Sequence, residues 1–218
     1  MADTALQRKN MVESQVRPSD VTDRRITAAM STIPREIFIP DRLAKFAYSD
    51  ETLSLGPNAV MLPPSTLARL VQLADINPGD NVLVIGGAAG YAAAIVARLA
   101  KTVVALLPDS NAASEAANAF RKAGVDNVTA AAGDLAQGWA ARAPYAAIVV
   151  EGGVEAVPDV LKEQLGEGGR LAAIEVERGL GHAFLLQKTG QLVVRRDAFQ
   201  ATAPLLHGFE SPKPAFVF

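Results

Sequence analysis

Apolar and polar positions follow three different rhythms along this chain, and each rhythm implies a different kind of element. Ala5, Leu6, Lys9, Met11, Val12 and Val16 trace a helical repeat that stops at the turn Arg17-Pro18-Ser19-Asp20. Ile26, Ala29, Met30 and Ile33 predict a second helix, ended by Pro34. Pro40 precedes a short segment through Phe46, and Gly56-Pro57-Asn58 with Pro63-Pro64 makes residues 53–64 a loop without an element of its own. Residues 1–64 therefore read as a helical N-terminal extension with a loop.

From Ser65 the rhythm alternates between helix and buried strand. Ser65 is expected to cap a helix whose Leu67, Leu70, Val71 and Ala74 share one face. Short apolar runs predict strands over residues 81–85, 102–107, 128–132, 145–150 and 170–176. Helical stretches over 91–100, 111–123 and 158–165 fall between them. Strand and helix repeating at this spacing imply right-handed crossovers and a mostly parallel, doubly wound α/β sheet. The last rhythm is alternation: residues 182–188 and 192–199 flank Thr189-Gly190 and predict an antiparallel hairpin. Ala215-Phe216-Val217-Phe218 is expected to pair at an edge or pack across the core. Residues 65–218 thus read as one Rossmann-like domain.

Composition narrows the chemistry. Half of the 218 residues are apolar and 20% charged, an ordinary globular balance. With 21 Lys and Arg against 23 Asp and Glu, the net charge is -2, which argues against broad nucleic-acid binding. The sequence holds no Cys, so disulfides, thiolate zinc sites and cysteine nucleophiles are excluded. His182 and His207 are its only imidazoles, too few for a histidine metal centre. Charged residues interrupt the first positions, and Arg98 and Lys101 break the longest apolar stretch. Neither a secretory signal nor a membrane span is expected, which points to the cytoplasm.

In an open parallel sheet, ligands lie beyond the carboxyl ends of the strands. The first strand-to-helix turn, Gly86-Gly87-Ala88-Ala89-Gly90-Tyr91, offers backbone that a ligand can approach closely. Its spacing is not Gly-x-Gly-x-x-Gly, and the second strand ends in Leu106-Leu107-Pro108, so a nicotinamide site is disfavoured. A tight turn with no ligand remains the alternative.

Several motifs carry a resemblance across nearly the whole chain. Met11-Val12-Glu13-Ser14-Gln15, Val21-Thr22-Asp23-Arg24-Arg25 and Ile33-Pro34-Arg35-Glu36-Ile37-Phe38-Ile39-Pro40 resemble the N-terminal part of the protein-L-isoaspartate O-methyltransferase family. Its Val-Pro-Arg-Glu-x-Phe-Val-Pro signature is the specific element. Ala47-Tyr48-Ser49-Asp50, Leu53-Ser54-Leu55-Gly56 and Leu165-Gly166-Glu167-Gly168-Gly169-Arg170-Leu171 are similar to later family segments.

The resemblance implies a Rossmann-like sheet, S-adenosylmethionine as cofactor, and isoaspartyl-containing proteins or peptides as acceptors. It places the cofactor at Gly86, Gly87, Ala88, Gly90, Leu107, Asp134 and Leu135, and the acceptor beside Val60, Met61, Leu62 and Pro63. Four positions depart from the family pattern: Val84 and Leu107 replace acidic residues, Ala88 a glycine, and Leu62 a hydroxyl residue. A non-catalytic relative with a degraded cofactor site, acting as a binding module, is therefore the second reading. Among other residues, Asp109 is expected to cap a helix, Asp134 either to meet the adenine or to sit in a solvated turn, and Trp139 to anchor the core. Glu151 is expected at a solvated loop position, with a substrate-slot acid as the alternative. Both histidines and the pairs Arg24-Arg25 and Arg195-Arg196 read as surface residues.

Overall fold

The computed structural model describes residues 3–56 and 59–211, the side chain of Ala88 excepted. The expected turn at 56–58 falls partly outside these residues, and the expected strand at 215–218 falls wholly outside them.

Seven strands form one sheet: β3 (Asn81–Gly86), β4 (Thr102–Leu107), β5 (Val128–Ala132), β6 (Tyr145–Val154), β7 (Leu165–Glu177), β8 (Leu180–Thr189) and β9 (Leu192–Gln200). A separate antiparallel hairpin pairs β1 (Leu53–Gly56) with β2 (Ala59–Met61). The sheet order is β5-β4-β3-β6-β7-β8-β9. From β5 to β7 the pairing is parallel, and β8 and β9 add as an antiparallel meander. The expected fold class is the observed one. Because β3 pairs with β4 on one side and β6 on the other, the strand order reverses at β3, and the crevice for a ligand opens there.

The helices are α1 (Thr4–Met11), α2 (Arg24–Thr32), α3 (Pro64–Leu73), α4 (Tyr91–Ala97), α5 (Ser110–Lys122) and α6 (Asp159–Glu163). Asp3, Asp23 and Asp109 cap α1, α2 and α5 by accepting backbone N–H groups of the first turn, which otherwise have no partner. Residues from α1 to α5 share one core with one face of the sheet. Within it Phe38 meets Tyr91 edge-on at 5.6 Å and Phe120 at 6.2 Å. On the opposite face Leu161, Leu206 and Phe209 close a second core. Among the described residues no helix is long and apolar enough to cross a membrane.

Four expectations need correction. Residues 53–64 are not a featureless loop, because burial of Leu53, Val60 and Met61 holds them as a hairpin despite their glycine and prolines. Ser65 does not cap α3: extended Pro63 precedes Pro64 at the first helical position, and the Ser65 hydroxyl donates instead to Asp50 Oδ1 at 2.7 Å. Helix α4 stops at Ala97 rather than residue 100. Strands β6 and β7 are longer than expected, β6 running through Glu151-Gly152-Gly153 and β7 beginning at Leu165.

Arg170 ties β7 to the turn that feeds β3. Its Nη1 donates to the Asp75 carbonyl at 2.6 Å and its Nη2 to Asp80 Oδ2 at 2.7 Å, the pair with Asp80 being largely shielded from solvent. Replacing Arg170 by Ala is expected to lower unfolding free energy by about 1.5–3 kcal/mol, the usual worth of a hydrogen bond to a charged group. A urea titration should show the midpoint falling with an unchanged slope.

Candidate functional site

Gly86, Gly87, Ala89 and Gly90 all take positive φ, at 76°, 65°, 64° and 84°, and so bend the chain sharply from β3 into α4. Ala89 holds this left-handed conformation at a cost of roughly 1–2 kcal/mol. A side chain at Gly87 would stand 1.9 Å from Glu151 Oε2, and one at Gly90 would stand 2.6 Å from the Phe120 ring. In this chain, then, the turn's glycines make room for Glu151 and Phe120.

Glu151 contradicts the solvated position expected for it. It is 1% exposed, and burial pushes its carboxyl up to about 7, against the lowering effects of the Leu62 N–H and Arg35. Later parts of the chain pack on the two glycines that follow it. Gly153 N–H donates to the Pro204 carbonyl at 2.7 Å, Leu206 N–H donates to the Gly153 carbonyl at 2.9 Å, and Leu206 lies on Gly152. Only glycines at 152 and 153 let that segment approach so closely. Glu151 Oε1 accepts from Leu62 N at 3.3 Å, whereas Oε2 has no partner.

Arg35, from the short 3-10 turn Arg35–Phe38, reaches the same place and is fully buried. Its Nε donates to the Ala47 carbonyl at 2.8 Å and its Nη2 to the Leu62 carbonyl at 2.6 Å. Desolvation lowers its pKa, opposed chiefly by Tyr91 and Glu151. The expected acceptor-side segment therefore lies against the glycine turn. Val60, Met61 and Leu62 are buried there, and Pro63 is half-buried.

On the other side of the turn, a cavity of about 110 Å³ is walled by Gly86, Gly87, Ala89, Leu107, Pro108 and Ala112. Pro40, Leu55 and Ala59 face them, and Glu115 is the one acid in the lining. The cavity shares Pro40, Ala89 and Glu115 with a groove of about 500 Å³ between residues 36–41 and α5. Val84 is buried in the core, and Leu107 is buried with its side chain at the cavity. The side chain of Ala88 falls outside the described residues.

Other expected residues are spread more widely. Asp134 caps the 3-10 turn Leu135–Gln137 by accepting Ala136 N–H at 2.9 Å, and Leu135 packs into the core on the opposite face of the sheet. Trp139 packs there too, and its carbonyl accepts from the Tyr145 hydroxyl at 2.6 Å. Asp109 caps α5, and both histidines are exposed. Arg195 and Arg196 are exposed, as expected, and Arg195 holds Glu175 with two bonds of 2.7 Å. Among the described residues no group of His, Asp and Glu side chains is set to hold a metal.

Sequence reasoning missed Arg35 and Glu115. Arg35 was visible only as part of a motif. The clue to Glu115 is its spacing, since Ala112 and Glu115 stand three apart on the face of α5 that turns toward the end of β4.

A family model described as Protein-L-isoaspartate(D-aspartate) O-methyltransferase matches residues 6–202. Protein-L-isoaspartate O-methyltransferase 1 of Rhodopseudomonas palustris (strain HaA2) is 40% identical over 167 residues, which is 77% of this chain and 68% of that protein. A solved structure described as a protein-L-isoaspartate O-methyltransferase superposes with a TM-score of 0.81 at 26% identity, covering 92% of this chain and 66% of its own. A Plasmodium falciparum structure, described as a putative enzyme of the same kind in complex with S-adenosyl-L-homocysteine, shares the fold. Its TM-score is 0.75 at 15% identity, covering 94% of this chain and 99% of its own.

The burial of Glu151 has a measurable consequence. Its pKa is higher in the folded state than in the unfolded one, so its contribution to stability is fully present below pH 4.5 and is lost as pH rises to about 7. Glu151→Gln escapes this loss. The stability difference between variant and wild type should grow in the variant's favour by about 3 kcal/mol across that window and then level off. Denaturant titrations at a series of pH values test it, and a difference that stays flat with pH would contradict a buried carboxyl.

Proposed function

The chain belongs to the protein-L-isoaspartate(D-aspartate) O-methyltransferase family, and from that premise we propose that it transfers the methyl group of S-adenosylmethionine to the free carboxylate of isoaspartyl residues in damaged cytoplasmic proteins. The observation that carries this reading is the meeting of two segments. The acceptor-side residues Val60–Leu62 lie directly against the glycine turn at the switch point, joined through Glu151.

The residues at the crevice fit an adenosyl cofactor, with its acidic handle relocated. Gly86 and Gly87 leave backbone bare at the cavity, and Leu107, Pro108 and Ala112 give an apolar wall suited to a purine face. Leu107 has no carboxylate for a ribose, but Glu115 lines the same cavity and the groove beside it, and would accept from the sugar hydroxyls. Asn111 Nδ2 already donates to Glu115 Oε1 at 3.1 Å, which steadies the carboxylate. Gly133-Asp134 stands beyond β5, on the side where the resemblance puts the adenine edge.

When bound, S-adenosylmethionine supplies a methyl group on a positively charged sulfur, from which the acceptor carboxylate oxygen takes it to leave a methyl ester and a neutral thioether. The acceptor is already ionised at neutral pH, so the protein need not provide a strong base. Its task is to align the acceptor and exclude water, and such positioning supplies roughly 7–11 kcal/mol. The lack of a histidine base at the site is therefore no obstacle.

Calorimetric titration with S-adenosylhomocysteine, together with methyl incorporation into an isoaspartyl peptide and its aspartyl counterpart, tests the proposal. Binding, with incorporation into the isoaspartyl peptide alone, is expected. Binding of neither cofactor product nor peptide would leave a non-catalytic relative in its place. Glu115→Gln should weaken S-adenosylhomocysteine binding roughly ten-fold or more, the worth of one charge-assisted hydrogen bond.

A further inference from the structure

Five buried side-chain polar atoms among the described residues lack a hydrogen-bond partner, and three of them belong to one cluster: Arg35 Nη1, the Tyr91 hydroxyl and Glu151 Oε2. The peptide of Leu62 marks its centre, its carbonyl taking Arg35 Nη2 and its N–H reaching Glu151 Oε1. The Arg35 guanidinium carbon lies 4.9 Å from the centre of the Tyr91 ring, and Glu151 Oε2 presses on Gly87. Buried polar atoms are nearly always satisfied, so three orphans in one place call for an explanation.

We propose that Arg35, Tyr91 and Glu151 form the cradle that grips the acceptor carboxylate, an inference that rests on the methyltransferase reading above. Three observations support it. The first is chemical match. A carboxylate has two oxygens and accepts several hydrogen bonds, while Arg35 Nη1, the Tyr91 hydroxyl and a protonated Glu151 can each donate, and apart from the approach of Arg35 to Tyr91 none has a partner. Admitting one anion satisfies all three.

The second is location. The cluster lies on the seam between the acceptor-side segment and the glycine turn, where the methyl group has to pass. The third is substitution. The resemblance aligns Leu62 with a hydroxyl residue on the acceptor side, and the donors missing from that side chain stand immediately behind its peptide. Admission requires the Leu62 carbonyl to release Arg35 Nη2, which exchanges a neutral acceptor for an ionised one and so gains a stronger bond.

The cradle also sets a pH dependence. Arg35 and Tyr91 are the titratable groups facing Glu151, and the other neighbours, Leu62 and Gly87, are uncharged. Burial pushes the Tyr91 hydroxyl up to about 12, so it remains a donor throughout the neutral range. Glu151 donates while protonated and repels a carboxylate once ionised. KM for the peptide should therefore rise as pH passes about 7, with kcat changing less.

Tyr91→Phe is the discriminating variant, because the hydroxyl it deletes has no neighbour to bond except the Arg35 guanidinium beside it. If the cluster is merely structural, KM is unchanged, whatever the variant does to the melting temperature. The cradle instead requires KM for an isoaspartyl peptide to rise roughly ten-fold or more, with kcat and S-adenosylhomocysteine affinity nearly unchanged. Calorimetric titration of the peptide into the S-adenosylhomocysteine complex should weaken by the same factor. Glu151→Gln should flatten the rise of KM above pH 7. An unchanged KM and peptide affinity in Tyr91→Phe overturns the cradle. So does a wild-type chain that binds S-adenosylhomocysteine but no isoaspartyl peptide. A chain that binds neither overturns the functional reading beneath it.

Discussion

A carboxyl group buried at the end of β6 must be fitted by everything around it, because an unpaired charge in a protein interior is among the costliest features a fold can carry. Glu151 meets that constraint with one backbone N–H, a nearby guanidinium and a glycine that yields space. Each of these neighbours comes from a different stretch of chain: the segment after β2, the N-terminal 3-10 turn and the turn after β3. The carboxyl therefore fixes how the N-terminal extension sits on the Rossmann-like sheet. Buried residues from Met11 to Leu62 share one continuous core with the sheet.

Strands β3, β4 and β6 were legible because parallel strands covered on both faces read as apolar runs, and here they do. The β8–β9 hairpin was legible from its turn residues. The β1–β2 hairpin was not. Its local signals are those of a loop, and packing of Leu53, Val60 and Met61 decides otherwise. Glu151 failed for a related reason. An acid followed by two glycines looks exposed, and the groups around its carboxyl, at Arg35, Leu62 and Gly87, all come from far earlier in the chain. Arg35 was seen only as part of a motif, since its partners are backbone carbonyls 12 and 27 residues away, which no side-chain pattern encodes.

The departures at Val84 and Leu107 take on a different meaning once placed. Both side chains are packed parts of the core, so their strands have exchanged a charged tip for apolar contact. Glu115 carries an acid to the same cavity from α5, where it remains exposed and costs the fold little. A helix surface accommodates a carboxylate that the end of a buried strand would have to desolvate. On the reading proposed above, an acid carried by a helix in place of a strand would keep the site's chemistry while relaxing its demand on the interior.

The segment at 203–206, laid across Gly152 and Gly153, narrows what evolution can place after Glu151. A methyl group at 152 would run into Leu206, and one at 153 would stand 2.7 Å from the Ala203 carbonyl. Mutational drift at this bend is therefore closed to every side chain, however small, unless the crossing segment shifts with it.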